Sequence, residues 1–315
     1  MPGMLTGPIH TSNDVGPVTS GRLPMAGWTL DDIPWQEIDR SAVTPDMVSL
    51  VKAASMVEAN AADYRDYLCN VFADDPRVCR AIEGWAVEEE QHGAALARWA
   101  SLVDPAFDFD KSFRNFLDGY RIPVDATASV RGSRCGELIA RCMVETGTNS
   151  FYSALAQATR EPVLASICRH IADDELAHFN LFHRHMNRYL EIEPLGMFAR
   201  LRIAFGRIAE TDDDELSYAY YAANGAGEPY HRRLHGSLYH RAALAPYTPA
   251  IVGGAVRMLL STLNIRADGV LGNCAAFVSY VLMVIHRQRL AVTVSIYGWS
   301  RSASRKGVNS ETAAS

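Results

Sequence analysis

The chain lacks the raw material for several common kinds of protein. Its six cysteines, Cys69, Cys79, Cys135, Cys142, Cys168 and Cys274, form no CxxC pair and no dense framework. Neither a disulfide scaffold nor a thiolate metal site is expected, and scattered thiols fit a reducing compartment. An excess of positive charge is missing too: 30 Lys and Arg stand against 36 Asp and Glu, a net charge of −6. That excludes a general nucleic-acid binder, whose electrostatic footprint is basic. The opening stretch, MPGMLTGPIHTSNDVGPVTSG, has no basic start followed by an apolar run, so it does not read as a secretory signal. The longest uncharged run, Gly269 to Ile285, is 17 residues and contains Asn273. It falls short of a bilayer span, so a helix packed on the rest of the molecule or on a second subunit is expected there. With 48% apolar residues in 315, a sizeable core can be buried, and a cytoplasmic globular protein is the expectation.

Residues 1–44, rich in Gly, Pro, Ser and Thr, read as a mobile lead-in ending in a surface-hugging segment around Trp28 and Trp35. Thr44-Pro45-Asp46 is a helix-start signal. From there the apolar spacing predicts four long helices, over 45–72, 76–103, 132–160 and 161–190. Strand-like alternation is nearly absent in this stretch. A crossover from Asp104 to Arg131 carries Phe107, Phe109, Phe113, Phe116 and Tyr120. The fold class is all-α, with a bundle over 45–210. A C-terminal helical extension is expected over 211–299, packed on the bundle or at a dimer interface, and a disordered tail over 300–315.

The four helices carry a repeated pattern. Glu58 precedes Glu89 by 31 residues and Glu145 precedes Glu175 by 30, and each second Glu is followed three residues later by a histidine, His92 and His178. Residues three apart share a helix face, so each Glu and His pair can converge on one ion. Random placement of 16 Glu and 10 His gives about half of one such pair, and the chain has three. The third, Glu228 to His231, contains Pro229 beside a Gly-rich turn and reads as coincidence. Leu138, Ile139, Met143, Leu164, Ile167, Ile171 and Leu181 surround Glu145 and Glu175 in sequence. Charges on such inward faces cost several kcal/mol each unless paired or metal-bound. Oxygen and imidazole ligands without thiolate suit iron or manganese better than structural zinc. Four carboxylates with two imidazoles are the inventory of a di-iron carboxylate site in a four-helix bundle. Four carboxylates balance two divalent ions and leave open positions where dioxygen can bind.

The wording around these residues resembles one family. Gly84-Trp85-Ala86-Val87-Glu88-Glu89-Glu90-Gln91-His92-Gly93 and Ile167-Cys168-Arg169-His170-Ile171-Ala172-Asp173-Asp174-Glu175-Leu176-Ala177-His178 resemble the two metal-binding helices of the soluble acyl-carrier-protein desaturases. The likeness continues into Tyr189-Leu190-Glu191-Ile192-Glu193-Pro194, covers roughly 45–210, and is absent beyond about residue 210. It implies a ferritin-like bundle, a homodimer, and two iron ions that use molecular oxygen to insert a double bond into a saturated acyl chain. It further implies delivery of that chain on acyl carrier protein and electrons from a ferredoxin-type donor. By the resemblance, Glu58, Glu89, His92, Glu145, Glu175 and His178 match the ligands. Thr148 matches a threonine beside the oxygen-binding face, where it takes part in proton delivery. Glu88 and Asp174 are candidate partners for the opposite helix pair's histidines, fixing their tautomers. The basic residues Arg184, Arg188, Arg200, Arg202 and Arg207 form a candidate carrier-docking patch.

Other functions sharing the ligand set fit less well. An iron store needs only the bundle. A radical subunit would want a tyrosine where Leu96 stands, and an arylamine N-oxygenase would want a third histidine where Ile171 stands. A hydroxylase or N-oxygenase acting on a small or carrier-bound substrate is the runner-up. Behind it stands a non-enzymatic bundle stapled by metal.

Overall fold

A computed structural model describes residues 27–210, 214–225 and 227–312, with side chains as far as residue 297. Of the expected mobile lead-in over 1–44, residues 1–26 lie outside the described residues. Helix starts follow local chemistry. Helix α1 (Pro45–Ala59) opens on Thr44, whose hydroxyl accepts from Met47 N–H, with Pro45 in the first turn. Asp75 caps α3 (Pro76–Val103) by accepting from Arg77 and Val78 N–H, Ser133 caps α5 (Arg134–Ala158), and Glu161 caps α6 (Pro162–Ile192). The Glu161 carboxylate also accepts from Trp99 Nε1 at 2.7 Å, tying the start of α6 to the end of α3.

The expected first helix over 45–72 is two helices. Asn60 leaves helical geometry at φ −81° and ψ 14°, and α2 (Ala61–Val71) follows. The break stands beside a close crossing of two helices. Gly93 of α3 passes so close to Ala59 that an added Cβ would sit 2.7 Å from the Ala59 nitrogen. This crossing sets Glu58 and His92, each one residue before the contact, at the same height.

Helices α1, α3, α5 and α6 make the bundle, with α5 against α6, α1 against α3, and α3 against α6. Its apolar core lies in two clusters. One holds Ile82, Trp85, Leu138, Ile139, Phe182 and Met186; the other holds Val51, Leu96, Trp99, Leu155, Leu164 and Ile167. The Glu and His layer occupies the level between them. The crossover is partly helical, as α4 (Phe109–Gly119), and its aromatics stack in a ladder from Phe109 to Tyr120.

The remaining helices are α7 (Met197–Ala209), α8 (Asp214–Asn224), α9 (Arg232–Leu244), α10 (Pro249–Thr262) and α11 (Val270–Thr312). Helices α8 and α9 pack on α1, α10 packs on α5, and α11 packs on α9 and α10. The fold is all-α, with no strand among the described residues. The backbone of α11 is helical as far as Thr312, through most of the stretch the composition reads as a disordered tail. The packing expected of residues 269–285 is one-sided. The Val270–Tyr297 segment is long and apolar enough to cross a membrane, and only 6% of its most apolar stretch is buried.

Candidate metal centre

The structure brings the six spaced residues into one buried cluster. Glu58, Glu89, His92 and Glu175 each offer a ligand atom within 4.8 Å of the others, and so do Glu89, Glu145, Glu175 and His178. The two sets share Glu89 and Glu175. The cluster would therefore hold two neighbouring ions, with Glu58 and His92 belonging to one set and Glu145 and His178 to the other.

Each histidine is aimed by a carboxylate from the opposite helix. His92 Nε2 of α3 donates to Asp174 Oδ2 of α6 at 3.0 Å. His178 Nε2 of α6 donates to Glu88 Oε2 of α3 at 2.7 Å. Both Nδ1 atoms consequently face the shared carboxylates, His92 at 3.2 Å from Glu89 Oε2 and His178 at 3.2 Å from Glu89 Oε1. An imidazole held this way presents its inward nitrogen to an ion. Two inward atoms, His178 Nδ1 and Glu175 Oε1, are buried without a hydrogen-bond partner. Orphaned polar atoms at the centre of a ligand-type cluster are what a metal would satisfy, so the donor set fits a pair of divalent ions.

Without metal the cluster balances its own charge. Burial, then repulsion from Glu89 and Glu175, pushes the Glu58 carboxyl well above the usual range. Burial does the same to Glu145, against the pull of Arg141. Burial also works on Glu89, yet the close imidazoles of His178 and His92 hold it well below the ordinary value. Despite burial and the neighbouring Glu89, the same two histidines hold Glu175 near about 2. The histidines move the opposite way. Burial alone would lower them, but Asp174, Glu175 and Glu89 raise His92, and Glu175, Glu88 and Glu89 raise His178. In the metal-free site burial thus favours the protonated form of Glu58 and Glu145, while contact between the histidines and Glu89 and Glu175 favours the charged form of each.

Four further residues complete the setting. Thr148 places its hydroxyl 2.7 Å from Glu175 Oε2, nearer than its two backbone contacts at 3.2 and 3.3 Å. Tyr152, fully buried two turns beyond Glu145, donates its hydroxyl proton to Glu58. Arg141, one turn before Glu145, pairs with it at 2.5 Å and lies over the Trp85 ring. An i, i+4 Arg and Glu pair within the otherwise apolar run Leu138-Ile139-Ala140-Arg141-Cys142-Met143-Val144-Glu145 was the available sequence signal for it. Trp28 fastens the segment before α1 to the bundle. It is buried, donates from Nε1 to Asp174 Oδ2 at 2.7 Å, and lies parallel to the rings of His92 and His170. The segment before α1 therefore roofs the cluster. His170 takes part through that stacking, whereas His185 joins neither ligand set.

A cavity of about 500 Å³ opens beside this cluster. Glu58, Thr148 and Tyr152 form its inner end, and Phe151, Leu216, Tyr239, Leu244, Tyr247 and Met283 are among the residues that wall it. The lining is mostly apolar, and the volume lies in the range of small-molecule sites. Much of the wall comes from α8, α9 and α11, so the C-terminal helices finish a chamber that the bundle only begins.

The family model described as fatty acid desaturase matches residues 70–207. No curated protein matches the chain. The matched stretch contains Glu89, His92, Glu145, Thr148, Glu175 and His178; it leaves out Glu58 and the helices that wall the cavity. The match supports a fatty-acid-desaturase type of family, and together with the buried cluster it fits a di-iron, desaturase-like oxidoreductase.

Proposed function

We propose, from the desaturase match and the cluster geometry, that the protein is an oxygen-dependent di-iron oxidoreductase that places a double bond in a saturated acyl chain. The single observation that carries the reading is the apolar cavity ending on Glu58 and Thr148 of the cluster. Two hydrogens leave neighbouring carbons, and with dioxygen, two electrons and two protons from outside they yield two waters. A ferredoxin-type donor is the proposed electron source. Glu58, Glu89, His92, Glu145, Glu175 and His178 would hold two iron ions, which supply the power to activate oxygen against an unactivated C–H bond.

The chain's own residues supply the rest. Glu88 and Asp174 keep each histidine's inward nitrogen on the cluster. Arg141 holds Glu145 in one orientation and offsets part of the cluster's negative charge. Thr148 stands at the boundary of cavity and cluster, where its hydroxyl can pass a proton between Glu175 and the chamber. Phe151, Leu244 and Tyr247 line the chamber, so a bound chain displaces water from the reacting carbons. Carrier-bound acyl groups are one proposed form of the substrate.

The test is to load the purified chain with ferrous iron, supply reductant, dioxygen and saturated acyl substrates, and analyse products by mass spectrometry. A product lighter by two hydrogens is expected. Oxygen consumption with hydroxylated or N-oxygenated product would replace the desaturase reading with the runner-up. Tight metal binding without oxygen consumption would reduce the cluster to a staple.

A further inference from the structure

The cavity reaches the surface between two helices. Ile208 of α7 and Leu282 of α11 both line it, and both are exposed, Leu282 at 60%. From Leu282 the exposed apolar residues continue along α11 at helical spacing, through Ile285 in one direction and Val281, Val278, Phe277 and Leu271 in the other. On α7, Phe205 lies three residues before Ile208 and Phe198 seven before Phe205, at 59% and 89% exposure. Isolated apolar side chains on a surface need no explanation, but two converging stripes of them do.

Charge says what covers the stripes. The 42 residues from Gly269 to Ser310 contain five Arg or Lys and no Asp or Glu, in a chain of net charge −6. Helix α7 repeats the bias with Arg200, Arg202, Arg207 and no acid. The inner side of α11 is already committed. Ala275, Ala276, Tyr280 and Met283 pack against Val252, Val256 and Leu260 of α10, and Arg287 donates to the Ala245 carbonyl at 3.3 Å. Only a stripe is left open, as in a helix lying in an interface with one side in lipid. Pairing α11 with a second copy would set Arg289 and its neighbours against their own kind. An acidic carrier protein would answer the charge and leave the apolar stripe in water. An anionic bilayer answers both.

We propose that α7 and α11 dock the protein on the surface of an anionic bilayer, so that the cavity mouth opens onto lipid and acyl chains enter from the membrane. The uptake half rests on the acyl-chain reading above; the docking half does not. Docking is measured without turnover, by co-sedimenting the full-length, iron-loaded protein with vesicles of phosphatidylcholine alone or with 30% phosphatidylglycerol. Binding to the anionic vesicles is expected, falling about fivefold for each arginine taken out of reach of the headgroups and weakening with salt. Phe277→Asp with Val278→Asp, both outside the cavity lining, should lower binding about tenfold or more while keeping helicity and iron content. Arg289→Glu should lower it without touching an apolar group.

Wild-type protein that stays in the supernatant overturns the proposal. So does binding indifferent to lipid charge, or to the paired aspartates. A dimer that the same aspartates break, without vesicle binding, would assign the stripe to a second copy. Acyl carrier protein that binds in its place would assign the stripe to that partner. Retention on vesicles through alkaline carbonate would replace surface docking with a membrane span. If vesicles bind while no acyl product forms, docking stands and the acyl reading fails.

Discussion

Loading the metal-free protein with two divalent ions near pH 7 should expel protons, and the structure says how many. Burial pushes Glu58 and Glu145 towards the neutral form, and the surrounding carboxylates push His92 and His178 towards the protonated form, so all four are expected to carry a proton before metal binds. Glu89 and Glu175 are already charged. Every ligand must present a lone pair to the ion, so each of the four protonated groups gives up one proton. The expected release is about four protons for two ions. The overall binding constant should then rise by up to about four decades per pH unit while all four groups remain protonated in the free protein. Calorimetric titration in buffers of different ionisation heat reads the proton count from the slope of observed heat against buffer heat. Release of one proton or none would mean that the free cluster is already deprotonated. The balance of two acids, two carboxylates and two imidazolium ions would then be wrong.

The same shifts set how the metal-free fold responds to pH. His92 and His178 lie above their ordinary 6.5, and Glu58 and Glu145 above 4.5, so their stabilisation is fully present below those values and lost as pH rises through the folded ones. Glu89 and Glu175 act in reverse, stabilising above 4.5 and losing that as pH falls. Urea midpoints of the metal-free chain should therefore be higher at pH 6 than at pH 8, and bound metal should remove or invert the difference. Glu88→Gln or Asp174→Asn should weaken metal binding about 10- to 100-fold while sparing the fold, read by chelator competition. Gly93→Ala should cost about 1–3 kcal/mol, because its Cβ meets the Ala59 backbone, and should loosen the Glu58 and His92 side of the centre. Thr148→Val should keep both ions yet slow product formation or divert oxygen to peroxide; unchanged turnover and coupling would end its proton role.

What the sequence made legible was periodic and local. The helices over 76–103 and 161–190 follow from apolar spacing and capping, and they end within a few residues of α3 and α6. The matched spacings of 31 and 30 residues put the Glu and His pairs on facing helices, because a hairpin repeated at one length returns to one level. What stayed hidden depends on contacts between distant residues. The break at Asn60 stands beside a crossing with Gly93, and Trp28 reaches Asp174 across 146 positions. The uncharged run over 269–285 was visible, but which side of it faces outward is decided by α10, and no period in the run itself reports that.

The bundle supplies the cluster and the inner end of the chamber, and the C-terminal helices supply much of the chamber's outer wall. Five of the six clustered residues fall within the matched stretch, while Leu216, Tyr239, Leu244, Tyr247 and Met283 of the chamber wall fall after it. The outer wall can therefore be redrawn without touching the clustered residues. A lineage, or an engineer, that exchanges the last hundred residues keeps the cluster and changes the outer part of the chamber beside it. Diversity in this design should accumulate at the C-terminal end, and libraries aimed at new substrates belong there.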